Sequence, residues 1–92
     1  MATQPLWIET IPVISTAHTP HERAITELSS ADFILSAEYA QGAFIYLPDV
    51  ADCVDAVAWL QPIVEWALPQ HFNWIRLDAD GDIVPALPEF NW

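Results

Sequence analysis

Proline placement constrains this chain's elements more tightly than any other feature. Each proline removes a backbone donor and fixes φ, so Pro12, Pro20, Pro48, Pro62 and Pro69 mark where strands and helices can begin, bend or stop. A strand is expected near residues 10–16, where Ile11 and Val13 alternate with Pro12 and Ile14 and the proline suits a sheet edge. Thr19 as N-cap, Pro20 at the first helical position and Glu22 three residues after the cap predict a helix to about Ser29, with Ala24, Ile25 and Leu28 inward.

Residues 33–39 and 43–47 read as two strands of a hairpin turned through Ala40, Gln41 and Gly42. Beyond Pro48, with Asp49 as cap, the apolar residues Val50, Cys53, Val54, Val57, Leu60, Val64 and Leu68 recur at offsets of three and four. They predict a longer helix with one stripe on the sheet, a kink or break near Gln61 from Pro62, and an end at Pro69. Residues 73–78 form a further strand, the acidic run 78–82 a turn, Ile83 and Val84 a short return strand, and 85–92 an extended tail. The order β-α-β-β-α-β predicts an α+β fold of ferredoxin-like order: an antiparallel β-sheet of about four strands with two helices packed on one face. At 92 residues the chain is expected to form a single acidic domain.

Charge narrows function. Thirteen acidic residues against two arginines, Arg23 and Arg76, give a formal net charge of −11. Nucleic-acid binding depends on neutralising several phosphates with lysine and arginine, so direct DNA binding is excluded, and anionic membranes are disfavoured. Such a field attracts cationic protein surface, although it also serves solubility. The segment 43–68 is interrupted by Asp49, Asp52, Asp55 and Glu65 and cannot span a membrane. With one cysteine, no leader-like N-terminal stretch and no internal disulfide, a cytoplasmic location is expected.

Catalytic patterns are weak. His18, His21, Glu22 and His71 lack the spacing of a metal site, and Cys53 lies on the buried stripe. Asp78, Asp80, Asp82 and Glu89 occupy calcium-loop positions, but Ile83 stands where that loop needs glycine and Gly81 falls two places early. Ser15 and His18 have no oxyanion loop beside them. No cofactor, no metal and no enzymatic activity are expected. Recognition fares better: Asp52, Asp55, Trp59, Pro62 and Trp66 form a second stripe on the long helix, pairing tryptophan anchors with carboxylates suited to a basic partner. The alternative is that Phe90 and Trp92 fold back over these rings.

Three segments, MATQPLWIETIPVISTAHTPHERA, YLPDVADCVDAVAWL and WIRLDADGDIVPALPEFNW, carry an overall likeness. The chain resembles the small acidic phage anti-CRISPR proteins that inhibit the type I-F (Csy) surveillance complex. That resemblance implies a non-enzymatic viral inhibitor acting in the cytoplasm of the infected bacterial host. It would dock on Cas subunits, with contact to guide RNA only through the complex, and block target DNA binding. The expected partner-binding residues are Asp49, Asp52, Asp55, Asp78, Asp80, Asp82 and Glu89 as charges, with Trp59 and Trp66 as anchors. An acidic DNA mimic directed at another nucleic-acid-binding protein, such as a restriction enzyme, would use the same charge. A small metal-dependent enzyme is the remaining alternative.

Overall fold

The computed structural model describes residues 8–21, 23–31, 34–52 and 57–90. Its elements are β1 (Val13–Ser15), α1 (Ala24–Ser29), β2 (Ser36–Tyr39), β3 (Gly42–Tyr46), α2 (Leu47–Ala51), α3 (Gln61–Ala67) and β4 (Trp74–Asp78). Short 3-10 turns at Thr16–His18, Ala58–Leu60 and Leu68–Gln70 connect them. The fold is α+β, a four-stranded sheet in the order β1-β4-β3-β2 with the helices packed on it. The sheet is mixed where an antiparallel one was expected: β2, β3 and β4 pair antiparallel, whereas β1 runs parallel to β4 at the opposite edge.

The helices gather on one face. Ile14, Ala43, Ile45, Ile75 and Leu77 project from the sheet into one core with Leu28, Leu47, Val50, Leu60, Ile63 and Ala67, all at most 3% exposed. Each valine, leucine and isoleucine among them contributes on the order of 1.5–3 kcal/mol by leaving water, and the two alanines less. The expected inward stripe holds where it can be followed. Val50, Leu60 and Val64 are buried, and Val57 and Leu68 pack against the core; Cys53 and Val54 lie outside the described residues.

The helix carrying that stripe is not continuous. Pro48 and Pro62 each occupy the first turn of a separate helix, α2 and α3, where a missing N–H costs nothing. Pro62 therefore starts a helix at Gln61 and does not kink one. The first helix also begins later than Thr19 suggests. Thr19 is buried and its hydroxyl donates to Thr16 O at 2.6 Å, closing the 3-10 turn, and α1 starts at Ala24 after Arg23. Glu22, the other half of the expected capping box, lies outside the described residues.

The hairpin is present with a tighter turn, because Tyr39 pairs with Gly42 and leaves only Ala40 and Gln41 between the strands. The expected return strand at Ile83 and Val84 reduces to a single parallel bridge between Ile14 and Asp82. Ser15 N–H donates to Asp82 O at 2.9 Å, so the acidic turn caps the β1 edge.

The C-terminal segment was expected as an extended tail, and it has no regular structure, yet it is docked. Leu87 is buried, and Phe90 N–H donates to Ala17 O at 2.8 Å. His18 holds it in place. Only 2% exposed, His18 accepts the Val84 N–H at Nε2 (3.0 Å), so its Nδ1–H donates to Pro88 O (2.7 Å).

Candidate functional site

Strand alternation sorts the sheet's side chains onto two faces. Ala43, Ile45, Ile75 and Leu77 enter the core, so Phe44 and Tyr46 of β3, with Trp74, Arg76 and Asp78 of β4, point the other way. Register places Phe44 opposite Arg76 and Tyr46 opposite Trp74, while Ala37 and Tyr39 of β2 extend the same face. Its rings pack on one another. Tyr46 and Trp74 have centroids 5.1 Å apart, and Tyr39 and Phe44 5.7 Å. The Arg76 guanidinium lies 5.3 Å from the Tyr39 centroid and 5.8 Å from that of Phe44, within range of a cation–π interaction with both. These aromatic rings are half-buried, and the Arg76 side chain keeps 40% of its exposure.

One polar network holds this face. Arg76 Nε donates to the Tyr39 hydroxyl (2.8 Å), which donates to Asp78 Oδ2 (2.6 Å), and Arg76 Nη2 lies 3.0 Å from the same carboxylate. Asp78 Oδ1 also accepts the Asp80 N–H at 2.8 Å, an Asx turn that shapes the acidic bend. The Tyr39 hydroxyl, then the Asp80 N–H, and Arg76 as well hold the Asp78 carboxyl below the ordinary aspartate range, outweighing its burial. Burial pushes the Tyr39 phenol up, and hydrogen bonding to Tyr39 raises the Arg76 guanidinium.

A pH dependence follows. Because the Asp78 pKa is lowered in the fold, its contribution is present above the unfolded aspartate value of about 4 and is lost as pH falls through the folded value. Urea unfolding from about pH 6 down to about pH 2 should show a falling midpoint in the wild type and a flatter acid limb in Asp78→Asn. An unchanged slope in the variant would show that other carboxylates set the acid limb.

The expected contact residues that lie among the described residues occupy different settings. Asp52, Asp80, Asp82 and Glu89 are exposed, as anticipated for charge contacts. Asp78 is only 6% exposed and spends both carboxylate oxygens internally, so it is not placed to meet a partner. Asp49 Oδ2 accepts the Leu35 N–H at 2.9 Å, tying α2 to the start of β2. Trp59 and Trp66 are half-buried against the core, and Trp66 packs on Phe72 at 6.1 Å, so neither stands on an outward stripe. That stripe assumed an unbroken helix. Asp55 and Trp92 lie outside the described residues.

The aromatic face was missed, although its signal is local. Phe44 and Tyr46 alternate along one strand, and so do Trp74 and Arg76 along another. The histidines occupy three separate settings. His18 is the buried clamp, His21 Nε2 lies 3.3 Å from exposed Glu27, and His71 caps a 3-10 turn with a left-handed φ of 67°. No helix among the described residues is long and apolar enough to cross a membrane.

Fold and surface together define a small acidic α+β domain with a helix-covered sheet face and an opposite face of aromatic residues around one arginine. The chain belongs to the DUF5983 C-terminal domain family, a family of unknown function, which it matches over residues 11–92. No curated protein and no solved structure matches it.

Proposed function

We propose that this domain is a non-enzymatic inhibitor that occupies a cationic protein surface and keeps nucleic acid from it. The observation that carries this reading is the distribution of charge. Glu27, Glu38, Asp52, Glu65, Asp80, Asp82 and Glu89 are all exposed, while Arg76, one of only two fixed cations, is paired with Asp78. A molecule of net charge −11 is drawn to lysine- and arginine-rich surface, and the largest such surfaces in a cell are those that hold nucleic acid.

The target is the type I-F surveillance complex, on the strength of the likeness across the chain. Such a complex holds its heteroduplex and displaced strand in positively charged channels. An equilibrium DNA-binding assay on the purified complex, with a restriction endonuclease as comparator, tests it. Excess domain should abolish target binding by the complex and leave the endonuclease unaffected. Unchanged target affinity would defeat the assignment, and inhibition of the endonuclease alone would move it to the DNA-mimic class.

Charge reversal gives a finer expectation. The combined variant Asp80→Lys, Asp82→Lys and Glu89→Lys should slow association with the complex by about tenfold or more at low salt, shrinking as salt screens the field. Single replacements should have little effect, because exposed ion pairs contribute only about 0–1 kcal/mol each. Stopped-flow association at two ionic strengths reads both. A triple variant that associates at the wild-type rate in low salt would show that electrostatic capture is not the route.

A further inference from the structure

We infer that the sheet face opposite the helices, centred on Tyr39, Phe44, Tyr46, Trp74 and Arg76, is the core of the interface, and that its occupant is a lysine- and arginine-rich protein surface. This rests on the reading above and locates it on the molecule. The face has the composition of a docking surface, since tyrosine, tryptophan, phenylalanine and arginine are enriched in interface cores where lysine and glutamate are depleted. It is also distinct from the hydrophobic core. Trp59, Trp66 and Phe72 pack against that core, whereas alternation turns Phe44, Tyr46 and Trp74 away from it. Exposed apolar neighbours continue the face: Val13 on β1 is 39% exposed, and Leu35 just before β2 is 56% exposed.

Charge selects the occupant. Within the face Arg76 is neutralised by Asp78, so the centre is nearly uncharged. The molecule as a whole is strongly anionic. Stacking platforms of this shape can hold unpaired bases, but a phosphate backbone would meet a net charge of −11. A second copy would bring another −11 against the first. A cationic protein surface satisfies both parts, burying apolar stems on the rings while its ammonium and guanidinium groups are drawn by the net charge of −11. The preorganised Tyr39–Arg76–Asp78 network keeps the ordering cost of docking low.

Site-specific photo-cross-linking tests the assignment. The full tagged chain is expressed in bacteria carrying a type I-F complex, with p-benzoylphenylalanine replacing Tyr46, exposed Ala37 on the same face, or exposed Glu65 on α3 as the control. Cross-links from positions 37 and 46, absent from position 65, should join the chain to a single protein, with the linked peptide rich in lysine or arginine. In a reconstituted pair with that purified protein, Tyr46→Ala should weaken affinity by about tenfold or more while circular dichroism stays that of the wild type. Using two positions guards against one substitution disturbing the fold.

The inference is overturned if both positions link only to a second copy of the chain, only to nucleic acid, or to nothing. Tag pull-down from the same cells separates the two proposals. Co-purification with the complex without cross-links from the sheet face would retain the function and discard the surface. Cross-links to a cationic protein outside the complex would retain the surface and discard the target.

Discussion

Replacing His18 with alanine is expected to cost about 3 kcal/mol of unfolding free energy and to release the C-terminal segment. Two part-buried hydrogen bonds disappear together, leaving the Val84 N–H and the Pro88 carbonyl without the imidazole they share. Each orphaned group costs on the order of 1–3 kcal/mol, and alanine leaves a cavity besides. For a domain of this size, that is a large share of a total stability of roughly 5–14 kcal/mol. Urea denaturation measures the loss. Limited chymotrypsin digestion measures the release, since cleavage after Phe90 should accelerate once the segment detaches from Ala17 and His18. A variant with wild-type midpoint and protection would show that Leu87 and the Phe90 backbone bond suffice to hold the segment.

The second large effect is expected at Gly42. Neither its turn nor its φ requires glycine; the close approach of β4 does. A Cβ built there would fall 1.7 Å from Leu77 O and 2.5 Å from Leu77 C, both backbone atoms of the neighbouring strand. Neither can move aside without parting β3 from β4, the pair at the centre of the sheet. Gly42→Ala should therefore lose more than about 4 kcal/mol and accumulate unfolded or aggregated. Gly81→Ala is the graded comparison. Its Cβ would meet Ile14 C and O at 2.5 Å, but Gly81 lies in a loop at the sheet edge that can swing away, so a smaller loss is expected. Thermal unfolding of the two variants should rank them in that order. A soluble Gly42→Ala with wild-type near-ultraviolet circular dichroism would show that the strands can separate cheaply.

Local periodicity made part of this molecule readable. The β2–β3 hairpin follows from alternation, and Val50, Leu60 and Val64 turn inward because their three- and four-residue spacing survives a change of helix. The helix break was legible as a position but not as a geometry, since Pro62 marks a helix start as well as a kink. Acidic side chains were identifiable from the chain, but not their accessibility. By type Asp78 belongs with the surface charges, yet Tyr39 of β2 and Arg76 of β4 enclose it.

Composition and short-range pattern by themselves determined an acidic α+β domain with a hairpin, an inward apolar stripe and a net charge of −11. Each of these depends on residue type or on neighbours a few positions apart. Tertiary structure alone decided the parallel placement of β1 beside β4, the burial of His18 and the gathering of aromatic rings on the sheet face opposite the helices. The reason is separation along the chain. His18 meets partners 66 and 70 residues away, and Tyr39 reaches Asp78 across 39. Which side of a strand is buried depends on where the helices settle, and no local periodicity encodes that.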